Sequence, residues 1–263
     1  MGVLDREAIY ISFRQQLKDA PERILMLDYD GTMAPFHADR THAFPYPEIP
    51  PLLSEIMNAG TRLVLVTGRP SRELVMLCGL YPHPEIWGSH GLERLMPNGD
   101  YLVVTLPAKE EAALLNAADV VRRLGHEANL ELKPGGVALH WRGLEPADAE
   151  KIRIQVSQKW QPLTEDQALK LLQFDGGLEI RVSNTDKGYA VKSILKESSP
   201  GAAVAYLGDD LTDEDAFHAL KDRGLRVLVR PQHRPTAADL WLKPPEELGE
   251  FLHQWLLTCG GEA

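Results

Sequence analysis

The stretch Ile24-Leu25-Met26-Leu27-Asp28-Tyr29-Asp30-Gly31-Thr32 joins a short apolar run directly to two carboxylates, a glycine and a threonine. An apolar run of this length that ends in turn residues predicts a buried strand of a parallel sheet. Side chains at positions i and i+2 of an extended chain face the same way, so Asp28 and Asp30 can address one ligand if the chain stays extended there. The same residues are equally compatible with an aspartate-rich turn that caps a helix.

Other segments repeat this pattern of buried strand, polar loop and helix. The apolar residues 63–66 are followed by Thr67-Gly68-Arg69, and the apolar residues 203–207 are followed by Gly208-Asp209-Asp210. Predicted helices over 50–59 and 212–220 and a predicted strand over 225–229 complete the pattern. The carboxyl ends of the strands form the ligand-binding crevice of an open parallel sheet. We therefore expect the polar residues after these strands to share one site.

The middle of the chain has a different pattern. It predicts helices over 108–124 and 148–160 and strands over 129–133, 137–142, 168–174 and 178–182, the last two joined by the turn signal Asp175-Gly176-Gly177. An αββαββ order cannot continue a parallel sheet, so it predicts an inserted domain. We predict an α/β protein with a parallel-sheet core over 1–105 and 183–263 and an α+β domain over 106–182.

Composition excludes several classes of protein. The formal net charge is −10, which argues against nucleic-acid binding because such proteins neutralise phosphates with clustered Lys and Arg. Cys78 and Cys259 are the two cysteines, so neither a disulfide framework nor a zinc site is indicated. Charged residues precede any apolar run at the start of the chain, and no apolar stretch is long enough to span a membrane. We expect no nucleic-acid or membrane partner and a cytoplasmic location.

The segment 208–215 carries five carboxylates in eight residues. Such crowding is unfavourable unless the side chains share a cation, face solvent or lie at a helix N-terminus. Glu214 and Asp215 are expected to open the following helix. Asp209 and Asp210 come where a strand ends, so we predict a role for them at a magnesium ion.

A hydroxyl and a lysine complete a set of groups that suits phosphoryl transfer. Thr67 follows one predicted strand and Lys187 opens the element after the middle domain. Alone, Thr67 is compatible with capping a helix that begins near Pro70, and Lys187 with an exposed surface lysine. Together with the carboxylates they supply a nucleophile, metal ligands and donors to phosphoryl oxygens.

The chain resembles the haloacid dehalogenase (HAD) superfamily, whose four motifs are similar to 28–32, Thr67, Lys187 and 208–210 in this order. Within it, the chain resembles the trehalose-6-phosphate phosphatase family through 27–35, 67–70, 88–91 and 208–217. This resemblance implies a Rossmann-like HAD core with an inserted α+β cap of the C2B type. The chain departs from the family pattern at Val182, where a proline is usual.

The resemblance implies a Mg²⁺-dependent phosphatase that forms an aspartyl-phosphate. Asp28 is then the nucleophile and Asp30 the general acid and base, while Thr67 and Lys187 bind phosphoryl oxygens. The implied metal ligands are the Asp28 carboxylate, the backbone carbonyl of Asp30 and Asp209. Residues Asp210 and Asp213 are expected to orient metal-bound waters or Lys187.

The resemblance also implies how a sugar phosphate is recognised. Glu131, Lys133 and Glu179 occupy positions where the family grips sugar hydroxyls, although Glu131 and Lys133 are also compatible with an ordinary solvated strand face. His90 is equally compatible with a role in loop structure. The substrate-binding residues expected on this basis are Tyr29, Arg69, His90, Glu131, Lys133, His140, Arg142 and Glu179.

Trehalose 6-phosphate is the implied substrate, and a glycosyltransferase (synthase) that supplies it is an expected partner. Sucrose phosphate, glucosyl- or mannosyl-3-phosphoglycerate and glucosylglycerol phosphate are alternatives, because related enzymes on this scaffold hydrolyse them. A signalling receiver domain also combines a phosphorylated aspartate, a hydroxyl and a lysine. Receivers lack the Asp-x-Asp-Gly-Thr arrangement and a large insert, and the presence of every residue that the chemistry needs argues against an idle sugar-phosphate-binding subunit.

Overall fold

The computed structural model describes residues 3–37, 39–141, 143–166, 168–174 and 176–260. It divides the chain into two compact units, one of Met1–Leu102 with Asp186–Ala263 and one of Val103–Thr185. No helix within the described ranges combines the length and apolar character that crossing a membrane requires.

Helices and strands alternate along most of the described chain. The helices are α1 (Val3–Asp19), α2 (Ile49–Asn58), α3 (Ser71–Leu77), α4 (Ala108–Arg123), α5 (Pro146–Trp160), α6 (Lys187–Glu197), α7 (Asp213–Leu220) and α8 (Glu246–Thr258). The strands are β1 (Arg23–Leu27), β2 (Arg62–Val66), β3 (Glu85–Gly88), β4 (Glu93–Leu95), β5 (Tyr101–Val103), β6 (Leu130–Lys133), β7 (Gly136–His140), β8 (Leu169–Phe174), β9 (Gly177–Val182), β10 (Ala203–Gly208), β11 (Leu225–Val229) and β12 (Leu240–Leu242).

The first unit is built on a mostly parallel sheet. In the described residues this sheet has eight strands, in the order β12-β11-β10-β1-β2-β3-β4-β5. The pairs from β12 to β3 are parallel, and β4 runs antiparallel to β3. Crossover helices cover both faces of such a sheet, which explains the continuous apolar character of its central strands. The predicted α/β fold class is confirmed.

Alternate side chains of β1 enter the two core layers on either side of the sheet. Leu25 and Leu27 pack in a layer with residues of α1, α2 and α8. Ile24 and Met26 pack in the opposite layer with residues of α6 and α7. Each buried aliphatic side chain of this kind stabilises the fold by about 1.5–3 kcal/mol. Burial on both faces therefore fixes β1 at the centre of the sheet.

An ion-pair network around the buried Glu85 connects β2, β3 and β4 to α6. Glu85 accepts hydrogen bonds from Arg62 Nε at 2.9 Å and from Arg94 Nε at 2.8 Å. Both arginines also contact Glu197, in the last turn of α6. Because Glu85 is almost fully buried, its charge requires these partners. The network holds β2, β3, β4 and α6 in a fixed arrangement.

The second unit contains a four-stranded antiparallel sheet in the order β6-β7-β9-β8. Its element order α4-β6-β7-α5-β8-β9 is the predicted αββαββ order. The apolar side chains of α4 and α5 pack on one face of this sheet, and Trp160 Nε1 donates to the carbonyl of Ala117 at 3.0 Å. The strand predicted over 137–142 ends at His140. Arg142 and the turn residue Asp175 lie outside the described residues.

Candidate active site

The functional side chains of the first unit follow the carboxyl ends of neighbouring strands. Asp28 follows β1, Thr67 follows β2 and Asp209 follows β10. Strand register aligns Leu27 with Leu207, and Asp28 N donates to the carbonyl of Leu207 at 2.9 Å. The residues that follow β1, β2 and β10 therefore lie side by side at one end of the sheet.

Two helices that pack closely bring the remaining groups to this edge. Lys187 is the first residue of α6 and Asp213 the first of α7. A Cβ atom at Gly188 would lie only 2.5 Å from the carbonyl oxygen of Asp215, so a larger residue would separate the helices. The small residue at 188 thus permits the approach of Lys187 to Asp213.

Lys187 bridges two buried carboxylates. Its Nζ lies 2.7 Å from Asp28 Oδ1 and 2.7 Å from Asp213 Oδ1. Asp28 is 4% exposed and Asp213 is fully buried. Charge-assisted hydrogen bonds of this length are the strong ones, and burial reduces their screening by solvent. The ammonium group therefore fixes the position of the proposed nucleophile.

Asp213 organises the loop after β10. Its Oδ1 also accepts from the hydroxyl of Tyr206 at 2.6 Å, and its Oδ2 accepts from the backbone N–H groups of Asp209 and Asp210 at 3.1 and 3.0 Å. Burial raises the pKa of Tyr206 well above its ordinary value, so the hydroxyl stays protonated and donates. The sequence pattern did not single out Tyr206, which is indistinguishable from a core residue of a buried strand.

Asp209 lies against the turn that follows Asp28. A Cβ atom at Gly31 would overlap the Asp209 carboxylate, and Gly31 has a φ of 86°, a conformation that favours glycine. Arg230 Nη1 and Arg234 Nε each donate to the carbonyl of Asp209 at 3.3 Å. These contacts hold the backbone of Asp209, while its carboxylate faces Asp28 and Asp213.

The carboxylates of Asp28, Asp209 and Asp213 together carry more negative charge than the ammonium group of Lys187 can balance. Burial raises the pKa of Asp28 to about 7 even though Lys187 lowers it. Burial and repulsion from Asp28 and Asp213 raise the pKa of Asp209 to about 10. Burial lowers the pKa of Lys187, but attraction to Asp213 and Asp28 outweighs it and leaves the pKa above its ordinary value. An added cation would stabilise the ionised carboxylates.

The geometry suits such a cation. Ligand oxygens of Asp28, Asp209 and Asp213 lie within 4.8 Å of one another. Oδ1 of Asp209 is buried and has no hydrogen-bond partner among the described residues, and a buried polar atom without a partner is rare in proteins. Hard divalent cations such as Mg²⁺ prefer oxygen ligands of this kind. Asp213 and Asp210 were both predicted to orient metal-bound waters or Lys187. Asp213 lies within the carboxylate cluster, whereas the side chain of Asp210 is exposed.

Asp30 does not share the partners of Asp28. The chain turns at Tyr29, whose carbonyl accepts from the N–H groups of residues 32–34. Both carboxylate oxygens of Asp30 pair with Arg69, Oδ2 with Nε at 2.6 Å and Oδ1 with Nη2 at 2.7 Å. The Asp30 side chain is 28% exposed, whereas that of Arg69 is 3% exposed. The structure thus pairs Arg69, predicted to bind substrate, with the predicted acid and base.

The other predicted residues of the first unit support the loops around the site. Thr67 Oγ1 accepts from Arg69 N at 3.1 Å within a turn that precedes α3. The hydroxyl of Tyr29 donates to the carbonyl of Ala43 at 2.7 Å inside the core. His90 N donates to the carbonyl of Thr67 at 3.0 Å, and its ring covers Gly68, where a Cβ atom would lie 2.6 Å from Nε2. His90 therefore contributes to the structure of the Thr67 loop.

The second unit brings four predicted residues into one network. Lys133 Nζ lies 3.4 Å from Glu179 Oε1 and 3.7 Å from Glu131 Oε2. Glu131 Oε2 is also 2.7 Å from His140 Nε2. Register explains the grouping, because Glu131 and Glu179 both align with Ala138 of β7 and so project from one sheet face. One face of this sheet therefore carries two carboxylates, an ammonium group and an imidazole in contact with one another.

Comparison with protein families identifies a specific relationship. A family model described as trehalose-phosphatase matches residues 26–245. A protein of Arabidopsis thaliana, "Probable trehalose-phosphate phosphatase D", is 31% identical over 261 residues that cover 88% of this chain and 66% of that protein. The "Trehalose-phosphate phosphatase" of Mycobacterium marinum is 28% identical over 250 residues, which cover 88% of this chain and 60% of that protein. The chain thus spans about two thirds or less of the length of these relatives.

Solved structures share the fold. The trehalose-6-phosphate phosphatase of Aspergillus fumigatus superposes with a TM-score of 0.67 and 21% sequence identity, over 95% of this chain and 97% of that one. At this level of identity the similarity establishes the fold and not the substrate.

Proposed function

Because the chain belongs to the trehalose-phosphatase family, we propose that it is a phosphoric monoester hydrolase that releases phosphate from trehalose 6-phosphate. The observation that carries the proposal is the buried cluster in which Lys187 bridges Asp28 and Asp213 beside Asp209. Burial of this much like charge is unfavourable for folding, and such clusters are typical of functional sites. In the proposed reaction this cluster supplies the nucleophile and the carboxylate ligands of the metal ion.

Mg²⁺ is the cofactor of the proposed reaction, with the carboxylates of Asp28 and Asp209 and the backbone carbonyl of Asp30 as its protein ligands. Asp213 belongs to the same cluster but already accepts four hydrogen bonds, which suits it to orienting Lys187 and the Asp209 loop. When bound, the ion supplies positive charge that neutralises the phosphoryl oxygens and keeps the carboxylates ionised.

The proposed reaction has two displacements at phosphorus. A carboxylate oxygen of Asp28 attacks the phosphorus and the bond from phosphorus to the sugar oxygen breaks, while Asp30 gives its proton to that oxygen. A water molecule then gives a proton to Asp30 and attacks the phosphorus, and the bond to Asp28 breaks to release phosphate. Asp30 ends protonated, as it began. Thr67 and Lys187 donate to the phosphoryl oxygens during both displacements.

Sugar recognition is proposed for the second unit. The network of Glu131, Lys133, His140 and Glu179 supports this role because it places acceptors and a donor on one sheet face. Sugar hydroxyl groups both donate and accept hydrogen bonds, so they suit such a mixed set.

The test is phosphate release in the presence of Mg²⁺ across a substrate panel. The panel contains trehalose 6-phosphate, sucrose 6-phosphate, glucosyl- and mannosyl-3-phosphoglycerate, glucosylglycerol phosphate and glucose 6-phosphate. We expect the highest kcat/KM for trehalose 6-phosphate, no turnover by the Asp28→Asn variant and normal turnover by a matched control, Asp100→Asn, at an exposed turn. Preference for another compound would refute the substrate assignment, and turnover by Asp28→Asn would refute the nucleophile.

The proposed reaction also implies a source for the substrate and a location for the protein. A glycosyltransferase that makes the sugar phosphate is the proposed source of the substrate, since the reaction consumes its product. The cytoplasm, where sugar phosphates are made, is the proposed location. Co-purification of such a synthase with the tagged protein, and fractionation of cells that produce it, would test these two points.

A further inference from the structure

Arg69, in the loop after β2, makes an extensive set of polar contacts. Its side chain is almost completely buried, and it clasps both oxygens of Asp30 through Nε and Nη2. Two parallel N–H···O bonds fix a carboxylate in position and in orientation, which a single bond does not. The pair joins residues 39 positions apart, so it ties the turn after β1 to the loop after β2.

The guanidinium group is itself held by three other groups. Its Nη1 donates to Glu73 Oε1 at 2.6 Å, on α3, and to the carbonyl of Arg40 at 2.8 Å. Its Cζ lies 5.6 Å from the centre of the Tyr29 ring, a cation–π contact. With four of its five N–H donors occupied by these partners and Asp30, Arg69 has at most one left for a phosphate.

We propose that Arg69 is a positioning residue that holds the Asp30 carboxylate where it exchanges protons with the departing sugar oxygen. This rests on the function proposed above, because Asp30 acts there as acid and base. Arg69 lies in the core unit, is anchored by Glu73 and the Arg40 carbonyl, and presents a rigid fork to one carboxylate. Lysine in its place would keep the charge but lose the fork.

The proposal makes a specific claim about the leaving group. A sugar alkoxide is a poor leaving group and needs a proton as it departs, whereas p-nitrophenolate departs without one. If Arg69 acts through Asp30, its loss should slow transfer from the sugar phosphate much more than transfer from p-nitrophenyl phosphate. A merely structural role would slow both reactions equally.

The experiment measures kcat/KM of the full chain with Mg²⁺ for both substrates. We expect Arg69→Gln and Arg69→Lys to lower kcat/KM for trehalose 6-phosphate about 100-fold, the usual contribution of a general acid, and that for p-nitrophenyl phosphate less than about tenfold. The Asp30→Asn variant should show the same selectivity. The double variant Arg69→Gln with Asp30→Asn should be no slower than Asp30→Asn alone, because the two residues act as one unit.

A matched control exists in the same unit. Arg226 of β11 clasps Asp239, the residue before β12, in the same way, with Nε to Oδ2 at 2.9 Å and Nη2 to Oδ1 at 2.6 Å. Arg226→Lys should leave the ratio of the two kcat/KM values unchanged. Thermal unfolding of every variant separates loss of fold from loss of function, and Arg69→Lys serves if Arg69→Gln does not fold.

Three outcomes would overturn the proposal. They are an equal loss for both substrates, a rise in kcat/KM for the sugar phosphate, and additive effects in the double variant. Failure of the proposed function is a different result, since the wild-type protein would then release no phosphate from trehalose 6-phosphate.

Discussion

Replacing Asp209 by asparagine should stabilise the metal-free protein while removing its response to Mg²⁺. The carboxylate is buried, its Oδ1 has no hydrogen-bond partner in the described part of the chain, and it lies within 4.8 Å of two other carboxylates. Asparagine keeps the shape and has no carboxyl group to ionise. The contacts to the Asp209 backbone, including those from Arg230 and Arg234, stay intact.

The magnitude follows from a proton that the folded protein takes up. The pKa of Asp209 in the folded protein is about 10, so its carboxyl group is protonated at pH 7, whereas an unfolded aspartate with a pKa of about 4 is ionised. Each pH unit between that unfolded pKa and pH 7 costs about 1.4 kcal/mol of stability. Asparagine needs no such proton, so we expect Asp209→Asn to raise the free energy of unfolding by about 4 kcal/mol at pH 7 in EDTA.

The pH dependence has a definite sign. The pKa of Asp209 in the folded protein is about 10, above that of an unfolded aspartate. The folded state therefore binds more protons between the two values, and the stability of the metal-free wild type falls as pH rises through that window, by about 1.4 kcal/mol per pH unit for each such group. Asp209→Asn lacks one of these groups, so its stability should fall less steeply.

The assay is urea unfolding of both proteins in EDTA and in Mg²⁺. Wild type should gain about 2.7 kcal/mol at a Mg²⁺ concentration 100 times its dissociation constant, and Asp209→Asn should gain much less. Asp210→Asn, the same change at the neighbouring exposed residue, should stay within about 0.5 kcal/mol of wild type. Lower stability of Asp209→Asn in EDTA, or an undiminished response to Mg²⁺, would refute the reasoning.

Three other predictions concern single contacts. Tyr206→Phe removes one donor to Asp213 without changing core shape, so the free energy of unfolding should fall by about 2 kcal/mol in a urea titration; no change would show that the bond is dispensable. Glu85→Gln removes the buried charge that Arg62 and Arg94 share and leaves them paired with the exposed Glu197. The free energy of unfolding should fall by about 3 kcal/mol in the same titration, whereas a neutral effect would mean that the network is not stabilising. Glu179→Gln should raise KM for trehalose 6-phosphate about tenfold and leave kinetics with p-nitrophenyl phosphate unchanged; a change with both substrates would contradict a role in sugar recognition.

Much of the core architecture could be predicted because local patterns determine it. Apolar runs of four or five residues that end in Asp28, Thr67 or Gly208 correspond to β1, β2 and β10. Burial on both faces requires such continuous runs, so the pattern and the position in the sheet have one cause. The short strands β3, β4 and β5 on one side of the sheet and β12 at its other edge were not predicted, because charged, glycine and proline residues flank or interrupt their apolar residues.

The pairing of side chains in the site could be predicted only in part. The spacing of Asp28 and Asp30 predicted that their side chains face the same way. In the structure the chain turns at Tyr29, and Asp30 pairs with Arg69 instead. This pair depends on two loops meeting in space. The local pattern also did not indicate that Asp213, at the start of a helix, reaches into the carboxylate cluster.

In the second unit, too, local patterns predicted positions within a strand but not the contacts between strands. Alternation placed Glu131 and Lys133 on one face of a strand, as in β6. Their meeting with Glu179 depends on the register of three strands, which turn lengths and sheet packing set and which no local pattern reports.

The central claim is that Asp28 carries the phosphoryl group during turnover. The direct measurement is to mix the protein with trehalose 6-phosphate and Mg²⁺, quench within a single turnover, reduce with borohydride and locate the reduced residue by peptide mass spectrometry. An acyl phosphate is reduced to the alcohol, whereas a free carboxylate is not. The account predicts reduction at position 28 that is lost when substrate is omitted. Reduction at another residue, or its absence while phosphate is released, would contradict it.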